Sequence, residues 1–396
     1  MSAARRIARA VFACICLVVP AWAFPLRAPN HRKHTESESE TVTISLDSSA
    51  ALKTVSSAER LAPAVPLYGP ADTVTMFIIG DVMLHSRQME YSYDSFLEHI
   101  SGRMKAADIS VANMEFPLGG KPYTGYPAFS APDEYARYVN GCGANVFLAA
   151  NNHILDKGYT GIDRTLHVYD SLEAAEAIRY TGISADSQDN AGRYPLIVNV
   201  RGVRIALLNF TYGTNNPAKP GVWPKVNLAD TTDIAEALSR AKERKPDFII
   251  ALPHWGIEYE LRHSARQERL ARWLVSKGVN AIVGAHPHVI QDSCSINGVP
   301  VFYSLGNAVS NMSAANTQLE LAVELKFARS PQGDVSMLRP SVTFLWCSLP
   351  GRFTDSYATL EVHRFLGRRS LWKSPYDYDK MISTYNRVKS ETGIRD

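Results

Sequence analysis

The amino-acid sequence predicts an α/β fold with mostly parallel strands, and two features of the chain support this. From about residue 71 onward, short apolar runs alternate with segments of helical periodicity, as in proteins whose parallel strands are connected by helices. Asp, Glu, Asn and His residues then follow one predicted strand after another, where each apolar run ends. Ligands bind at the carboxyl ends of parallel strands in open α/β sheets, so this edge is expected to form the functional site.

The first half of the predicted domain begins with the run VTMFIIGD. Its apolar and β-branched residues predict a buried strand that ends at Gly80 and Asp81. Asp94 is placed to cap a helix over residues 94–105. The further elements predicted from apolar periodicity are a strand at 108–112, a helix at 133–140, a strand at 144–149 and a helix at 161–177.

The second half begins with a predicted hairpin, because the runs LIVNV and IALLNF flank Arg201 and Gly202. The elements predicted after it are helices at 233–243 and 265–277 and strands at 247–252, 279–283 and 301–304. We expect the domain to cover residues 71–345. Residues 346–396 contain a strand-like run, YATLEVHRF, and a helical segment, and are expected to pack on the domain as a C-terminal extension.

The first 70 residues predict an export signal followed by a linker. Three arginines precede an apolar run at 10–19 and an A-x-A pattern at 21–23, so residues 1–23 have the features of a secretory signal peptide. An uncleaved anchor is the alternative, although the uncharged run of about 15 residues is shorter than a membrane span. Residues 24–70 are polar and rich in Ser, Ala and Pro, which predicts a disordered linker. We expect an exported protein that is periplasmic, extracellular or envelope-anchored.

The composition is that of a globular protein outside the nucleic-acid-binding class. Of 396 residues, 45% are hydrophobic and 20% are charged, with a net charge of +3. This charge is too small to indicate a nucleic-acid partner. Cys142, Cys294 and Cys347 remain after the signal, and their spacing matches no metal site. One disulfide among them is possible, but no pairing can be assigned, and a structural role is expected.

Two histidines mark the strongest candidate for a ligand site. His286 and His288 lie two residues apart, just past the predicted strand at 279–283. Neutral imidazoles are common metal ligands, whereas the alternative is a pair of solvated or core histidines. Similar residues follow the other predicted strands, namely Asp81, Asn113 with Glu115, Asn151-Asn152-His153, His254 and Asn307. Such ligands from separate loops at one sheet edge indicate a metal site.

These motifs resemble, in their order along the chain, those of the CapA family, which is named for poly-gamma-glutamate capsule synthesis. The matching runs are GDVMLH, ANMEFPL, NNHILDKG, HWGIEYE, GAHPHV and YSLGN, within about residues 74–311. The domain of this family is similar to the calcineurin-like metallophosphoesterases. The resemblance therefore implies a sandwich of two β-sheets flanked by helices, with the metal site at the carboxyl ends of the strands.

The resemblance also implies roles for individual residues. The implied metal ligands are Asp81, Glu115, Asn152, His254, His286 and His288. His153 matches the histidine that contacts the phosphate or leaving group, and would act as a general acid or stabilise charge on the transferred group. The alternative is a histidine that only orients a metal ligand. Asp156, Glu258 and Asn307 are expected beside the ligands. The alternatives are loop anchoring for Asp156 and turn capping for Asn307. Glu258 could also face the substrate, and its alternative is a helix-initiating carboxylate at a first turn. The implied cofactor is one or two divalent metal ions, either Zn, Mn or Fe.

One position departs from the phosphoesterase pattern. Those enzymes carry a histidine two residues after the first aspartate, where this chain has Met83, and His85 lies at a different spacing. A thioether is a poor ligand for hard divalent ions. Either another residue substitutes, or the site holds one metal, or catalysis is lost.

The function implied by the resemblance is an exported metal-dependent hydrolase or transferase of capsule or cell-surface polymer metabolism. It would cleave or transfer a phosphoester or an amide bond. The expected partners are an anionic surface polymer or its precursor and membrane-bound capsule synthesis subunits, and Arg87 and Lys121 are candidate contacts for an anionic substrate. The alternative is a non-catalytic accessory module that binds the polymer or partner subunits at the cell envelope, which Met83 motivates.

Overall fold

The computed structural model describes residues 73–395 of the chain. The predicted signal at 1–23 and the predicted linker at 24–70 lie outside the described residues, so both stay predictions. Within residues 73–395, no helix is long and apolar enough to cross a membrane.

Strands and helices alternate through most of the described region. The strands in chain order are β1 (Thr73–Val82), β2 (Ile109–Met114), β3 (Val146–Leu148), β4 (Arg179–Thr181), β5 (Ile183–Ser184), β6 (Leu196–Val200), β7 (Val203–Thr211), β8 (Lys225–Val226), β9 (Phe248–His254), β10 (Ala281–Val283), β11 (Ser293–Ile296), β12 (Val299–Phe302), β13 (Asn307–Val309), β14 (Leu319–Arg329), β15 (Val335–Met337), β16 (Ser341–Ser348) and β17 (Ala358–Glu361). The α-helices are α1 (Glu98–Ala106), α2 (Asp133–Gly141), α3 (Gly158–Ala174), α4 (Ser187–Arg193), α5 (Thr231–Glu243), α6 (Ala265–Ser276), α7 (Val362–Phe365) and α8 (Pro375–Thr392). Short 3₁₀-helices cover Ser86–Glu90 and Arg369–Leu371.

Two large sheets contain most of these strands. Sheet A has nine strands in the order β17-β16-β14-β1-β2-β3-β4, with β13 also paired to β1 and β15 to β14. Sheet B has six strands in the order β11-β12-β10-β9-β7-β6. Strands β5 and β8 form a separate two-stranded ribbon.

The two sheets pack face to face because their central strands are apolar on both faces. Met76 and Ile78 of β1 belong to a buried cluster that also contains Leu207 of β7 and Ile250 of β9. Residues two apart in a strand share one face, so this cluster lies between the sheets. The carboxyl ends of strands from both sheets consequently come close together at one end of the sandwich.

Helices cover the outer face of each sheet. Ile79 of β1 packs in a second buried cluster with Tyr135 of α2 and Leu166 of α3. On the other side, Leu208 of β7 packs in a third cluster with Leu274 of α6. The resulting layers are helices, sheet A, sheet B and helices, so the predicted α/β sandwich of two sheets flanked by helices is confirmed.

The strand directions differ from the mostly parallel arrangement that the sequence predicts. Strands β1 to β4 are parallel, as are β7, β9, β10 and β12. However, half of the strand pairings in the described region are antiparallel, chiefly those of β14 to β17. These last strands are joined by short connections, which permit antiparallel pairing only, instead of by crossover helices.

Helix α1 begins later than the sequence predicts. The prediction places a helix at 94–105 with Asp94 as its cap, but α1 spans Glu98–Ala106 and has Leu97 at its N-cap position. The Asp94 carboxylate instead accepts a hydrogen bond from the Ser92 hydroxyl at 2.7 Å. Asp94 therefore stabilises the turn before the helix, which is the common competing role of a short carboxylate.

The predicted hairpin at Arg201 and Gly202 is confirmed. Strands β6 and β7 pair antiparallel around these two residues. Both have positive φ, 46° for Arg201 and 77° for Gly202. Two successive residues of this kind match a type I′ turn, whose twist suits the flanking strands.

Residues after 345 complete sheet A. The predicted domain boundary at 345 falls within β16, and β17 pairs with β16. Met381 and Val388 of α8 join the same buried cluster as Trp346 of β16. We therefore propose that residues 73–395 form one domain, in which α8 covers the part of sheet A that contains β14 and β16.

All three cysteines of the described region are free thiols. Cys142 and Cys347 are buried, and Cys294 is partly buried. Burial raises the pKa of Cys347 to about 12, so this thiol stays protonated at neutral pH. These side chains pack in the apolar clusters.

Candidate metal centre

The predicted ligands come together where the ends of the two sheets meet. Asp81 lies near the end of β1, and Glu115 directly follows β2 in sheet A. His254 is the last residue of β9, while His286 and His288 follow β10 in sheet B. All five side chains are buried, with exposed fractions of 0% to 3%. The carboxylates therefore come from one sheet and the imidazoles from the other.

An irregularity in β1 directs Asp81 into the centre. The register of β1 shifts between Ile79 and Asp81 against β2, and between Asp81 and Val82 against β13. Such bulges turn a side chain out of the regular alternation. Asp81 Oδ1 accepts a hydrogen bond from Asn113 Nδ2 at 2.7 Å, and Oδ2 accepts one from the His286 backbone N–H at 3.3 Å. Asp81 thus connects both sheets.

Glu115 is a buried carboxylate that lacks a hydrogen-bond partner. Neither of its oxygens accepts a hydrogen bond from the described residues, and the buried Nδ1 of His286 also has none. His254 Nε2 lies 3.5 Å from Glu115 Oε1, and His288 Nδ1 lies 3.8 Å from Oε2. Ligand atoms of Glu115, His286 and His288 lie within 4.8 Å of one another.

This arrangement fits a divalent cation. Two buried carboxylates, Glu115 and Asp81, share the imidazole of His288, whose pKa they raise. Incompletely compensated buried charge costs several kcal/mol, and a cation at this centre would remove that cost. Carboxylate and imidazole donors are also the usual ligands of Zn, Mn and Fe. Glu115, His286 and His288 converge most closely, and Asp81, Asn152 and His254 surround them.

The loop that carries the two histidines has a strained backbone. His286 and His288 have φ of 100° and 59°, which non-glycine residues rarely adopt. Such conformations cost about 1–3 kcal/mol each and persist where surrounding contacts hold them. Between them, the Pro287 carbonyl accepts a hydrogen bond from the Tyr259 N–H at 2.9 Å. This backbone turns residues two apart in the chain toward the same centre.

Two asparagines hold His254. Its Nε2 lies 2.8 Å from Asn152 Oδ1, and its Nδ1 lies 3.1 Å from Asn113 Nδ2. Since the amide nitrogen of Asn113 is a donor, His254 accepts at Nδ1 and donates from Nε2 to Asn152. Asn152 and His254 are therefore hydrogen-bonded to each other directly, without a bridging ion.

The charged groups of the centre shift one another's pKa. Burial lowers the pKa of His288, but Glu115 and Asp81 outweigh it and raise this pKa to about 10. Burial raises the pKa of Asp81, yet the contact with His288 and the neighbouring imidazole charges leave it below its ordinary value. Burial also lowers the pKa of His286 well below its usual range, so this imidazole is neutral, as a metal ligand must be.

His153 forms a second polar group beside the ligands. Its Nδ1 lies 2.7 Å from Asp156 Oδ2, which also accepts the Phe129 N–H at 2.8 Å. Asn215 Nδ2 lies 3.2 Å from the same ring nitrogen. The Phe129 ring packs edge-on against His153, with centroids 4.7 Å apart. These contacts fix the imidazole plane and occupy Nδ1, whereas no hydrogen bond within the described residues involves Nε2.

A cleft of about 430 Å³ opens beside these groups, and His153, Asn152 and His288 line it. Met83 and His85 also line it. His85 Nδ1 contacts Gln88 Oε1 at 3.0 Å and the Asn311 N–H at 3.3 Å, and burial lowers the His85 pKa to about 4. His85 thus reaches the cleft despite its spacing from Asp81, although its Nδ1 is already engaged.

The three residues expected beside the ligands occupy different places. Asn307 Oδ1 lies 2.9 Å from His288 Nδ1, so Asn307 orients a ligand. Asp156 contacts His153 as described. Glu258 is exposed and lines the cleft, and no hydrogen bond or ion pair between 73 and 395 joins it to a predicted ligand. Its position corresponds to the substrate-facing alternative.

Two residues at the centre, Asn215 and Tyr212, were not predicted from the sequence, and Asn113 was named beside Glu115 but given no role of its own. Asn113 lies two residues before Glu115 at the end of β2, and this position at a strand end indicates a residue near the site. Asn215 and Tyr212 lie in the loop after β7, which contains no ligand motif. The Tyr212 ring packs against His286, with centroids 4.6 Å apart.

Comparison with known proteins relates the chain to capsule synthesis. The family model described as "Bacterial capsule synthesis protein PGA_cap" matches residues 75–312. The chain is 30% identical over 261 residues to "Capsule biosynthesis protein CapA" of Bacillus anthracis, covering 62% of this chain and 62% of that protein's length. It is 29% identical over 285 residues to "PGA biosynthesis protein CapA" of Bacillus subtilis, covering 68% of this chain and 72% of that protein.

Among solved structures, a putative 5′-nucleotidase from Staphylococcus aureus superposes with a TM-score of 0.44 and 12% identity, covering 68% of this chain and 54% of that one.

Proposed function

The chain belongs to the family of bacterial capsule synthesis proteins described as PGA_cap, and from this we propose that it is a metal-dependent hydrolase or transferase acting on an anionic cell-surface polymer. The Bacillus relatives are named for capsule and PGA biosynthesis, which supports a polymer of glutamate as the substrate class. The signal-like residues 1–23 support export, and membrane-bound capsule synthesis subunits are proposed partners.

The observation that carries the proposal is the unpartnered carboxylate of Glu115. Its two buried oxygens and the buried Nδ1 of His286 have no hydrogen-bond partner among residues 73–395. A purely structural role would leave the buried carboxylates of Glu115 and Asp81 with no compensation beyond the neighbouring imidazoles, and such incomplete pairing costs several kcal/mol. A divalent ion, either Zn, Mn or Fe, explains why these groups are buried together.

We assign the ligands to Asp81, Glu115, Asn152, His254, His286 and His288. One or two ions held there would polarise a phosphoryl or carbonyl oxygen and lower the pKa of a bound water.

The protein's own residues would orient the substrate and move the proton. Asp156 holds His153 through Nδ1, which leaves Nε2 without a hydrogen bond in the described region. In its imidazolium form, His153 would donate the Nε2 proton to the leaving group and become neutral. Asn215 and Phe129 fix the same ring, so little reorientation is needed at that step. The buried walls around the ligands exclude water from the far side of the centre, and the cleft admits substrate from one direction.

The accessory-module alternative rests on Met83. This thioether is buried and lines the cleft at the position where phosphoesterases carry a ligand histidine. With one ligand fewer, a bound ion would stabilise the fold, and the cleft would bind polymer without cleaving it.

Replacing His153 distinguishes these functions. Metal content and turnover of a γ-linked glutamate oligomer and of p-nitrophenyl phosphate are measured for the full-length wild type and His153→Ala. A metal-dependent enzyme predicts unchanged metal content and turnover that falls about 100-fold or more. Metal-loaded wild type that turns over neither probe, or His153→Ala with wild-type turnover, would contradict the catalytic proposal.

A further inference from the structure

A second pocket, which no role described so far uses, lies beside the cleft. It has a volume of about 300 Å³ and is lined by Arg87, Asn311, Ser313, Leu349, Pro350 and Arg352. Its charged residues are two arginines, and its lining contains no carboxylate. The local potential is therefore positive, although the net charge of the whole chain is only +3.

Neither guanidinium group lies within ion-pair distance of a carboxylate in the described region, although the charge of Arg352 acts on Asp377 and opposes the rise of that carboxyl's pKa. Within residues 73–395, neither Arg87 nor Arg352 forms an ion pair, and both are exposed. Elsewhere in this chain arginines commonly hold carboxylates in pairs, as Arg164 does with both oxygens of Asp133 at 2.7 and 2.9 Å. The planar guanidinium is suited to such two-point binding of a carboxylate. Arg87 and Arg352 have this capacity unused.

Two short segments of the chain separate this pocket from the cleft. Each segment supplies lining residues to both cavities. In the segment after β13, Met312 lines the cleft while Asn311 and Ser313 line the pocket. In the segment after β1, His85 lines the cleft while Arg87 lines the pocket. Two residues of chain span at most about 7 Å, so the two cavities are neighbours.

The wall between them is held in place by hydrogen bonds. The Asn311 N–H contacts His85 Nδ1 at 3.3 Å, which joins the two segments directly. The Tyr357 hydroxyl donates to Asn311 Oδ1 at 2.5 Å and fixes the amide that faces the pocket. The wall between the cleft and the pocket is therefore held by contacts within the protein, and the arginines lie on its far side from the cleft.

We propose that Arg87 and Arg352 form a subsite that binds carboxylates of an acidic polymer whose neighbouring unit lies in the cleft. The identity of the polymer as a glutamate chain rests on the proposed function. A polymer with one free carboxylate on each unit can place one unit in the cleft and the next carboxylate on the arginines. The subsite thus selects for an extended anionic chain over a single small substrate. Lys121, the other residue that the sequence analysis gives as a candidate contact for an anionic substrate, lines neither cavity.

Binding of a labelled oligomer tests this subsite. Fluorescence anisotropy is measured with a fluorescein-labelled γ-linked glutamate decamer and full-length wild type, Arg87→Gln, Arg352→Gln and the double variant. Arg269→Gln is the matched control, because Arg269 is an exposed arginine on α6 that forms no ion pair in the described region. A decamer with amidated carboxylates shows how much binding needs negative charge. Each protein is measured with and without chelator.

We expect each single variant to weaken decamer binding about fivefold or more, with a larger loss in the double variant. The difference should shrink between about 50 mM and about 500 mM salt, because exposed charges are screened. Arg269→Gln should stay within about twofold of wild type. Equal binding by the double variant and wild type, no binding by wild type, or equal binding of the amidated decamer would each overturn the subsite.

Turnover of the same decamer separates this inference from the proposed reaction. Arginine-dependent binding without any turnover supports the subsite and contradicts the enzyme. Turnover whose KM is the same in wild type and the double variant supports the enzyme and overturns the subsite.

Discussion

At the residue scale, Glu115 combines complete burial with the absence of a hydrogen-bond partner. Its exposed fraction is 0%, and neither oxygen accepts a hydrogen bond from residues 73–395. Ordinary buried carboxylates are paired or neutralised. Glu115 is instead surrounded by imidazoles at 3.5 Å and 3.8 Å, a separation that leaves space between the donor atoms.

Replacing Glu115 by Gln should change the stability of the metal-free protein and its metal-loaded form in opposite directions. In chelator, Glu115→Gln removes a buried carboxylate that accepts no hydrogen bond and leaves Asp81 to pair with His288, so the free energy of unfolding should rise by about 1–3 kcal/mol. With Zn or Mn in excess, the wild type should be the more stable protein because only it binds the ion tightly. Urea unfolding under both conditions measures this. A variant that is less stable in chelator would show that Glu115 is satisfied without a metal.

At this scale, sequence reasoning succeeds where a residue type and its position in the chain suffice. Asp81 and His254 lie at the ends of their strands and Glu115 directly follows one, so their convergence follows from the strand order. Asn215 contacts His153 because of the conformation of the loop after β7. The residues around Asn215 form no motif that predicts this contact. Glu258 belongs to a motif, yet the loop places it on the cleft wall.

At the element scale, the bulge in β1 determines where Asp81 points. Gly80 precedes it, and its backbone N–H donates to Glu320 Oε1 at 2.6 Å. A Cβ at Gly80 would lie 2.0 Å from the Gly306 carbonyl oxygen, so the two segments pack backbone to backbone here. Only glycine permits the approach of β1 and the segment before β13 that positions the aspartate.

Gly80→Ala should destabilise the fold strongly. The methyl group clashes with rigid backbone, so we expect a loss of about 3 kcal/mol or more in the free energy of unfolding. Gly102→Ala is the matched control, since Gly102 lies within α1 and its Cβ would meet nothing within 4 Å. That substitution should stabilise by up to about 1 kcal/mol. Denaturant unfolding of both variants measures the change in the free energy of unfolding. Similar changes for the two variants would argue against a backbone contact at Gly80.

Element predictions from sequence are confirmed where the signal is local and fail where competing contacts act. The Arg201-Gly202 hairpin needs only two residues that tolerate positive φ between alternating strands. The start of α1 depends on whether the Asp94 carboxylate caps the helix or stabilises the preceding turn. It accepts a hydrogen bond from the Ser92 hydroxyl in that turn, so it does not cap the helix.

At the scale of the whole molecule, an ion pair joins the two sheets at the end opposite the metal centre. Asp108 immediately precedes β2 of sheet A, and Arg201 lies in the β6–β7 turn of sheet B. The guanidinium of Arg201 donates to both oxygens of Asp108 at 2.6 and 2.7 Å. The Thr75 N–H donates to the same carboxylate at 2.8 Å.

Asp108 should make a stabilising contribution that is lost in acid. Burial raises its pKa, but the hydrogen bonds from Arg201 and Thr75 outweigh it, so the folded-state pKa lies below the ordinary 3.8. A lowered carboxyl pKa stabilises the fold above pH 3.8, and this contribution disappears as the pH falls through the folded-state value.

Asp108→Asn should therefore reduce the free energy of unfolding by about 1 kcal/mol near neutral pH, and by less near about pH 3. Asp163→Asn is the control, because the Asp163 carboxylate is exposed and its one ion pair within residues 73–395 is a 3.7 Å contact with His167. Urea unfolding at both pH values measures the two differences. A pH-independent effect of Asp108→Asn would exclude the ion pair as its cause.

The sandwich itself could be predicted from the sequence, but the strand directions could not all be predicted. Strands β1 to β3 alternate with α1 and α2, which predicts parallel pairing correctly. Strands β14 to β17 lie beyond the family motifs and are joined without crossover helices. The alternation of strands and helices, which predicts parallel pairing, is therefore missing from this part of the sequence. Their antiparallel pairing extends sheet A beyond the edge that the motifs define.

The most direct test of the metal centre is the metal content of the purified full-length protein. Elemental analysis is made on wild type, Asp81→Ala and His286→Ala, with circular dichroism to confirm that each is folded. We expect about one or two equivalents of Zn, Mn or Fe in the wild type, and at least a severalfold loss in both folded variants. A wild type without metal after reconstitution, or variants that keep the wild-type content, would contradict the assignment of this site as a metal centre.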